Sequence, residues 1–208
     1  MGRLNDKVAI ISGGNIGIGR AISLRFAAEG ASAVIAARNK DTADETVQLI
    51  EDAGGTAQFI ACDVTKIEQC ENLIQATIET FGQLDSLVNN AGIIYRNRTV
   101  KETTADEWLK TFDVNVNGAF YLSKFAIPHL EASKGTIVNM ASYVGMVGFR
   151  GTAAYCASKG ALIQLTRAMA LDHAGAGVRV NCVCPGSVET DMITSAWKTY
   201  GEGAEEVW

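Results

Sequence analysis

The feature that most narrows the possible folds is an alternation repeated along the chain, in which a short β-branched apolar run is followed by a longer amphipathic segment. "KVAIISG" at 7–13 reads as a strand and "IGRAISLRFAAEG" as a helix closed by Gly30. "SAVIAAR" at 32–38 is a second strand, followed by a helix over "DTADETVQLIEDAGG" with Asp41 or Thr42 as N-cap and Gly54 at its end. "AQFIACD" at 57–63 and "LDSLVNNAG" at 84–92 are strands three and four, separated by the helical "IEQCENLIQATIETFG". A long helix is expected from about Thr104 to Leu130. "KGTIVNMAS" at 134–142 is strand five, "AAYCASKGALIQLTRAMALDHAG" a helix, and "GVRVNCVCPG" at 177–186 strand six.

Strands that alternate with helices imply βαβ units with right-handed crossovers, and hence a parallel sheet covered on both faces. Near-continuous apolar strands suit burial on both sides. No linker, repeat or low-complexity stretch interrupts the series. The expectation is one domain over residues 1–208, a Rossmann-like, doubly wound parallel sheet in a three-layer α/β/α arrangement.

Composition excludes more than it selects. Net charge is −5 and no Lys/Arg run occurs, so there is no electrostatic footprint for nucleic acid or an anionic membrane. No leader begins the chain and no apolar stretch is long enough to span a bilayer, which makes the cytoplasm the default. The five cysteines are scattered, without a Cys-x-x-Cys pair, and an odd number argues against a disulfide framework. Cys182 and Cys184 alternate along strand six and should point to one face as small buried hydrophobes. His129 and His173 lie far from other potential ligands, so no metal site is expected.

Ligands in doubly wound sheets bind at the carboxyl ends of the strands. The first such end carries "SGGNIGIG", Ser12 to Gly19. Glycine there allows a tight turn and close backbone approach to a diphosphate facing a helix N-terminus. After strand five, "AAYCASK" puts Tyr155 and Lys159 one helical turn apart, on one face. The bland reading is an exposed aromatic beside a charge. The chemical reading is a phenol whose proton a nearby cation makes easier to move, since free tyrosine titrates near ~10.

The spacing Gly13-x-x-x-Gly17-x-Gly19 resembles the short-chain dehydrogenase/reductase family, and further pieces fall in that family's order. "NNAG" (Asn89 to Gly92) ends strand four, "DVNVNG" supplies Asn115, and "MAS" ends strand five at Ser142. Tyr155 and Lys159 follow, then "PGSVET" from Pro185 to Thr190 after strand six. The resemblance covers nearly the whole chain. It implies hydride transfer between a nicotinamide cofactor and a carbonyl or secondary alcohol by an Asn–Ser–Tyr–Lys tetrad: Asn115, Ser142, Tyr155 and Lys159. Tyr155 would be the general acid in reduction and Ser142 would hydrogen-bond the same substrate oxygen. Lys159 would lower the Tyr155 pKa and hold the nicotinamide ribose. Asn115 would interrupt the helix and hold water for a proton relay.

The same resemblance assigns cofactor contacts to Gly13, Asn15, Ile16, Gly17, Ile18 and Gly19 in the loop. Asp63 and Val64 would flank adenine, although Asp63 also suits an N-cap. Asn90, Ala91 and Gly92 would line the ribose, with Asn90 also able to tie neighbouring strands. Pro185, Gly186, Val188 and Thr190 would frame the carboxamide. Where an acid would bind both ribose hydroxyls the chain has Ala37, followed by Arg38, which suits a 2′-phosphate. NADP(H) is therefore favoured, with NAD(H) possible. The bland reading of Arg38 is a solvated pair with Asp41 or Asp44.

Tyr143, Met146, Val147, Phe149, Met192, Trp197 and Tyr200 could wall an apolar pocket, favouring an apolar or cyclic ketone or alcohol; a 3-oxoacyl thioester is also compatible. Family members usually form homodimers or homotetramers through the helices after strands four and five. They also continue past "YGEGAEEVW" into a seventh strand. On the resemblance the chain is C-terminally incomplete, which leaves as alternative a nucleotide-binding or interaction protein without turnover.

Overall fold

The computed structural model describes residues 2–194. Six strands, β1 (Val8–Ser12), β2 (Ser32–Ala37), β3 (Thr56–Ala61), β4 (Ser86–Asn89), β5 (Thr136–Met140) and β6 (Arg179–Val183), form one sheet. Their order is β3-β2-β1-β4-β5-β6 and every pairing is parallel. The order reverses between β1 and β4, which makes the carboxyl ends of those two strands the switch point where a ligand crevice opens.

Strand periodicity decides which layer each residue joins. In β1 and β2, Val8, Ile10, Val34 and Ala36 face one core, with Leu73 and Ile74 of α3 (Ile67–Phe81) and Leu122, Ala126 and Leu130 of α5 (Gly118–Ser133). Ala9, Ile11, Ala33 and Ile35 face the other, with Ala27 of α1 (Gly17–Ala28) and Ala43 and Ile50 of α2 (Lys40–Asp52). Each fully buried Ile or Leu contributes about 1.5–3 kcal/mol. A one-residue slip in register would exchange the two sets, and alanines that admit α1 closely would then face α3.

Two local expectations change and a third, the interruption of the long helix at Asn115, is met. The cap of α2 is Asn39, whose Oδ1 accepts from the Thr42 amide at 3.2 Å, because the extended backbone at Asn39 aims its side chain at the third amide; Asp41 and Thr42 lie inside the first turn. The long helix over 104–130 is interrupted where Asn115 was expected to interrupt it: α4 (Ala105–Phe112) passes into a π-helical turn, Asp113–Asn117, before α5. Cys182 and Cys184 share a face but are only half-buried, since β6 is the edge strand among the described residues. The expected seventh strand concerns sequence beyond those residues. Among the described residues, no helix is long and apolar enough to cross a membrane, and no cluster of His, Cys, Asp or Glu could hold a metal ion.

Candidate active site

The carboxyl ends of the strands open into one cavity of about 690 Å³. At its floor, Gly13 has φ +63°, in the left-handed region that glycine adopts freely. Gly19 permits a closer approach still: a Cβ there would lie 2.0 Å from the Gly13 carbonyl oxygen and 2.5 Å from Asn90 Nδ2. The turn and the amino end of α1 therefore pack directly on the end of β4. Asn90 Nδ2 donates to the carbonyls of Ser12 (2.9 Å) and Gly13 (3.2 Å), joining β4 to β1 across the switch point. The Ser12 hydroxyl, which the sequence analysis passed over, accepts from the amides of Asn90 and Ala91 and donates to Val88 O. Its signal was a polar residue ending an otherwise apolar strand. Asn15 also lines the cavity, and its side-chain amide donates to Thr42 Oγ1 at 2.7 Å.

At one end of the cavity lie Arg38, Asp63 and Val64. Lys40, not Arg38, pairs with Asp44. Asp63 accepts from the amide and hydroxyl of Thr65, at 3.0 and 2.9 Å, while the N-cap of α3 is Lys66. Partial burial raises the Asp63 pKa, but the Thr65 hydrogen bonds, with Arg38 and Lys66 nearby, outweigh it and hold the carboxyl below its usual range.

At the other end, Ser142, Tyr155 and Lys159 line the wall. Tyr155 and Lys159 lie in α6 (Ala153–His173), and Ser142 follows β5 as the cap of a short 3-10 turn. Lys159 is only 4% exposed, which rules out the bland surface reading. Its Nζ donates to Met140 O at 2.7 Å and lies 5.5 Å from the Tyr155 ring centroid. Burial lowers its pKa from 10.5 to about 8. Burial likewise raises the Tyr155 pKa above the usual phenol value, opposed by its hydrogen bond with Ser142 and by the positive charge of Arg96. This departs from the sequence expectation, which gave the lowering to Lys159. The ammonium is engaged by the Met140 carbonyl, while Ser142 and Arg96 are the groups that favour the phenolate.

Asn115 lies in the π turn, 1% exposed. Its Oδ1 accepts from Ile93 N at 2.8 Å, and its Nδ2 donates to Ile93 O and Ser158 Oγ, both at 3.0 Å. It thereby pins the loop after β4 to α6. A Cβ on Gly92 would sit 3.4 Å from Asn115 Oδ1 and 3.5 Å from Lys159 Nζ, so these two groups flank one glycine. Because the Asn115 amide is spent on Ile93 and Ser158, its observed work is positioning.

Gly17, Pro185, Gly186, Val188 and Thr190 also line the cavity, as do Asn90, Ala91 and Gly92. Among the apolar residues expected to wall it, Tyr143, Phe149 and Met192 do so, the first two in an edge-to-face contact at 6.4 Å. Met146 and Val147 do not line it and are 64% and 55% exposed, because the chain turns outward after the 3-10 turn. Trp197 and Tyr200 lie outside the described residues.

A family model described as short chain dehydrogenase matches residues 7–201. The meso-2,3-butanediol dehydrogenase of Serratia marcescens is 43% identical over 195 residues, 94% of this chain and 76% of that protein. The 3beta-hydroxysteroid dehydrogenase of Mediterraneibacter gnavus is 39% identical over 192 residues, covering 92% of this chain and 70% of that protein. The crystal structure of NAD+-bound xylitol dehydrogenase superposes with a TM-score of 0.86 at 34% identity, covering 88% of this chain and 71% of that one.

Proposed function

Because this chain belongs to the short-chain dehydrogenase family, whose members are NAD(P)-dependent enzymes acting on CH–OH groups, we propose that it moves hydride between NADP(H) and a carbonyl or secondary alcohol substrate. Tyr155 is its general acid and base. The observation that carries the reading is the convergence of Tyr155, Ser142 and Lys159 on one wall of the cavity whose floor is the glycine turn.

The residues present suit a dinucleotide. The Gly13–Gly19 turn closes on itself and on Asn90, which a Cβ at Gly19 would prevent, and so presents its backbone to the cavity for a diphosphate. The amino end of α1 faces the same cavity, where helix polarity favours an anionic diphosphate. Asp63 and Val64 serve the adenine end, and Thr190, whose hydroxyl donates to Val188 O at 3.2 Å, serves the carboxamide end with Pro185 and Gly186. Arg38 lines the cavity and Ala37 offers no carboxylate to repel a 2′-phosphate, which favours NADP(H) over NAD(H).

The bound nicotinamide supplies or accepts the hydride. In reduction, Tyr155 gives its phenolic proton to the substrate oxygen while the Ser142 hydroxyl hydrogen-bonds that oxygen and stabilises the charge developing on it. In oxidation the phenolate takes the alcohol proton. Ser142 and Arg96 favour the phenolate when it forms, while Lys159, held by Met140 O beside the Tyr155 ring, holds the nicotinamide ribose. Asn115 keeps α6 and the loop after β4 in register for this exchange.

Self-association belongs to the same reading. Trp108, Leu109 and Phe120 present large apolar side chains on α4 and α5, the segment through which a homodimer or homotetramer would form. Sedimentation at micromolar concentration tests it, and a monomer would count against it.

Calorimetric titration with NADPH and NADH, followed by a screen of ketones and alcohols at the nicotinamide absorbance, tests the function. The reading expects preference for NADPH and turnover of at least one carbonyl. Binding with no turnover across the screen would instead favour a nucleotide-binding protein without catalysis.

A further inference from the structure

The glycine turn at the cavity floor is loose by composition. Four of the seven residues from Gly13 to Gly19 are glycine, the residue that loses most conformational freedom on ordering. Two holds on it lie within α1 and β4: Ser23 Oγ donates to Gly14 O at 3.0 Å, and Asn90 Nδ2 donates to Gly13 O at 3.2 Å. A third hold comes from α2. It passes through Arg20 of α1, which does not itself line the cavity.

The Arg20 guanidinium reaches three groups. Its Nε donates to Asn15 O, within the turn, at 2.9 Å. Its Nη2 donates to Thr42 O at 3.3 Å and to the Glu45 carboxylate at 2.7 Å, both in α2. Asn15 O accepts a second hydrogen bond from Thr46 Oγ1 at 3.1 Å, and the Asn15 side chain donates to Thr42 Oγ1 at 2.7 Å. Asn15 is 7% exposed and Thr46 fully buried, so the junction is packed where it meets the turn. Thr42 in turn gives its amide to Asn39, the cap of α2. Asn39 and its neighbour Arg38 line the cavity, so one chain of contacts joins the glycine turn to the end of β2.

We propose that Arg20 is a positioning residue for the dinucleotide, fixing the glycine turn at a set separation from the segment that carries Arg38 and Asn39. The turn faces the diphosphate and that segment faces the adenosine ribose, so a single ligand must meet both. Holding them in place beforehand removes the ordering cost from binding. The planar fork of Arg20 serves two carbonyls and a carboxylate at once, and hydrogen bonds from a charged donor are roughly twice as strong as neutral ones. Without Arg20, neutral hydrogen bonds from Asn15 and Thr46 alone join the turn to α2. Arg20 acts through Asn15 and Thr42, and the proposal rests on the nicotinamide-cofactor reading above.

The test is calorimetric titration with NADPH and with NADH, alongside urea denaturation and steady-state kinetics on any carbonyl the wild-type chain reduces. Arg20→Met keeps the aliphatic stem and removes all three polar contacts. It should weaken the dinucleotide that the wild-type chain prefers by roughly tenfold, with kcat falling by a smaller factor than Kd rises. Arg20→Lys keeps the charge and can meet Glu45, but it cannot serve Asn15 and Thr42 at the same time. It should therefore recover only part of the loss, whereas simple attraction of an anionic cofactor by a nearby cation would be recovered in full. Should Arg20→Met fail to unfold cooperatively in urea, Arg20→Lys carries the test alone against the wild type.

Unchanged affinity in Arg20→Met, full wild-type affinity in Arg20→Lys, or a loss confined to kcat overturns the proposal. Carbonyl turnover with a cofactor affinity that ignores Arg20 overturns it while leaving the oxidoreductase reading intact. Arg20-dependent dinucleotide binding with no turnover of any carbonyl supports it and overturns that reading. A wild-type chain that binds neither dinucleotide overturns both.

Discussion

The Lys159 ammonium donates to the Met140 carbonyl at 2.7 Å while standing 5.5 Å from the centre of the Tyr155 ring. One buried cation is thus tied to the end of β5 and to the phenol of its own helix. A protonated lysine that is 4% exposed needs such a partner, since an unpaired buried charge is strongly unfavourable.

Lys159 should make stability pH-dependent with a definite sign. Its folded pKa of about 8 lies below its ordinary value of 10.5, so the unfolded chain binds the extra proton between those values. Stability attributable to Lys159 therefore rises with pH across that window and is constant below it. Relative to Lys159→Met, the wild-type chain should gain on the order of 2–3 kcal/mol between pH 8 and pH 10 in urea denaturation. A difference between the two proteins that does not change with pH would show that the lysine is not desolvated.

The same two groups set opposite pH responses for the two directions of reaction. Burial raises the Tyr155 pKa, so the phenol needed for reduction is present throughout the neutral range. Reduction should be flat to about pH 8 and then fall as Lys159 loses its proton. Oxidation needs the phenolate and should rise with pH across the same range. Because the pair is adjacent, the apparent values belong to both groups together. Parallel profiles of kcat/KM in the two directions check this.

Gly19→Ala is expected to cost about 3 kcal/mol or more and to abolish cofactor binding, because the added Cβ would meet the Gly13 carbonyl at 2.0 Å. Backbone cannot move aside there without opening the turn. Urea denaturation and NADPH calorimetry read the two effects separately. Normal affinity in the variant would exclude the turn from the cofactor site.

Arg38→Asp should exchange cofactor preference, weakening NADPH by roughly tenfold to a hundredfold through loss of charge-assisted hydrogen bonds. NADH should bind as well or better, since an acid in this region can accept from the ribose hydroxyls. Calorimetry with both cofactors decides the matter, and unchanged NADPH affinity would remove Arg38 from the recognition of phosphate.

Much of this arrangement was legible in the residues. The alternation of near-continuous apolar strands with amphipathic helices identified a parallel sheet, and residues at the strand ends, from Gly13 to Thr190, lie around one cavity. Helix detail was less legible, for physical reasons. Asn39 caps α2 because of its backbone angles, which no residue pattern displays, and "DVNVN" has ordinary helical composition, so its interruption at Asn115 was expected from the family resemblance and not from the residues themselves. Lys159 looked like a surface charge on spacing alone. Its burial follows from packing α6 against β5, a contact between segments distant in sequence. Arg96 was silent because the sequence does not show which of two neighbouring arginines turns inward.

The central claim is that Tyr155 moves the proton that accompanies hydride transfer. Its most direct test is NADPH oxidation with a carbonyl the wild-type chain reduces, repeated in Tyr155→Phe alongside NADPH calorimetry. Loss of the phenolic hydroxyl should lower turnover by roughly a hundredfold or more, the range of general acid–base catalysis, while cofactor affinity stays within about threefold. A Tyr155→Phe protein that binds NADPH and turns over at the wild-type rate would contradict the account.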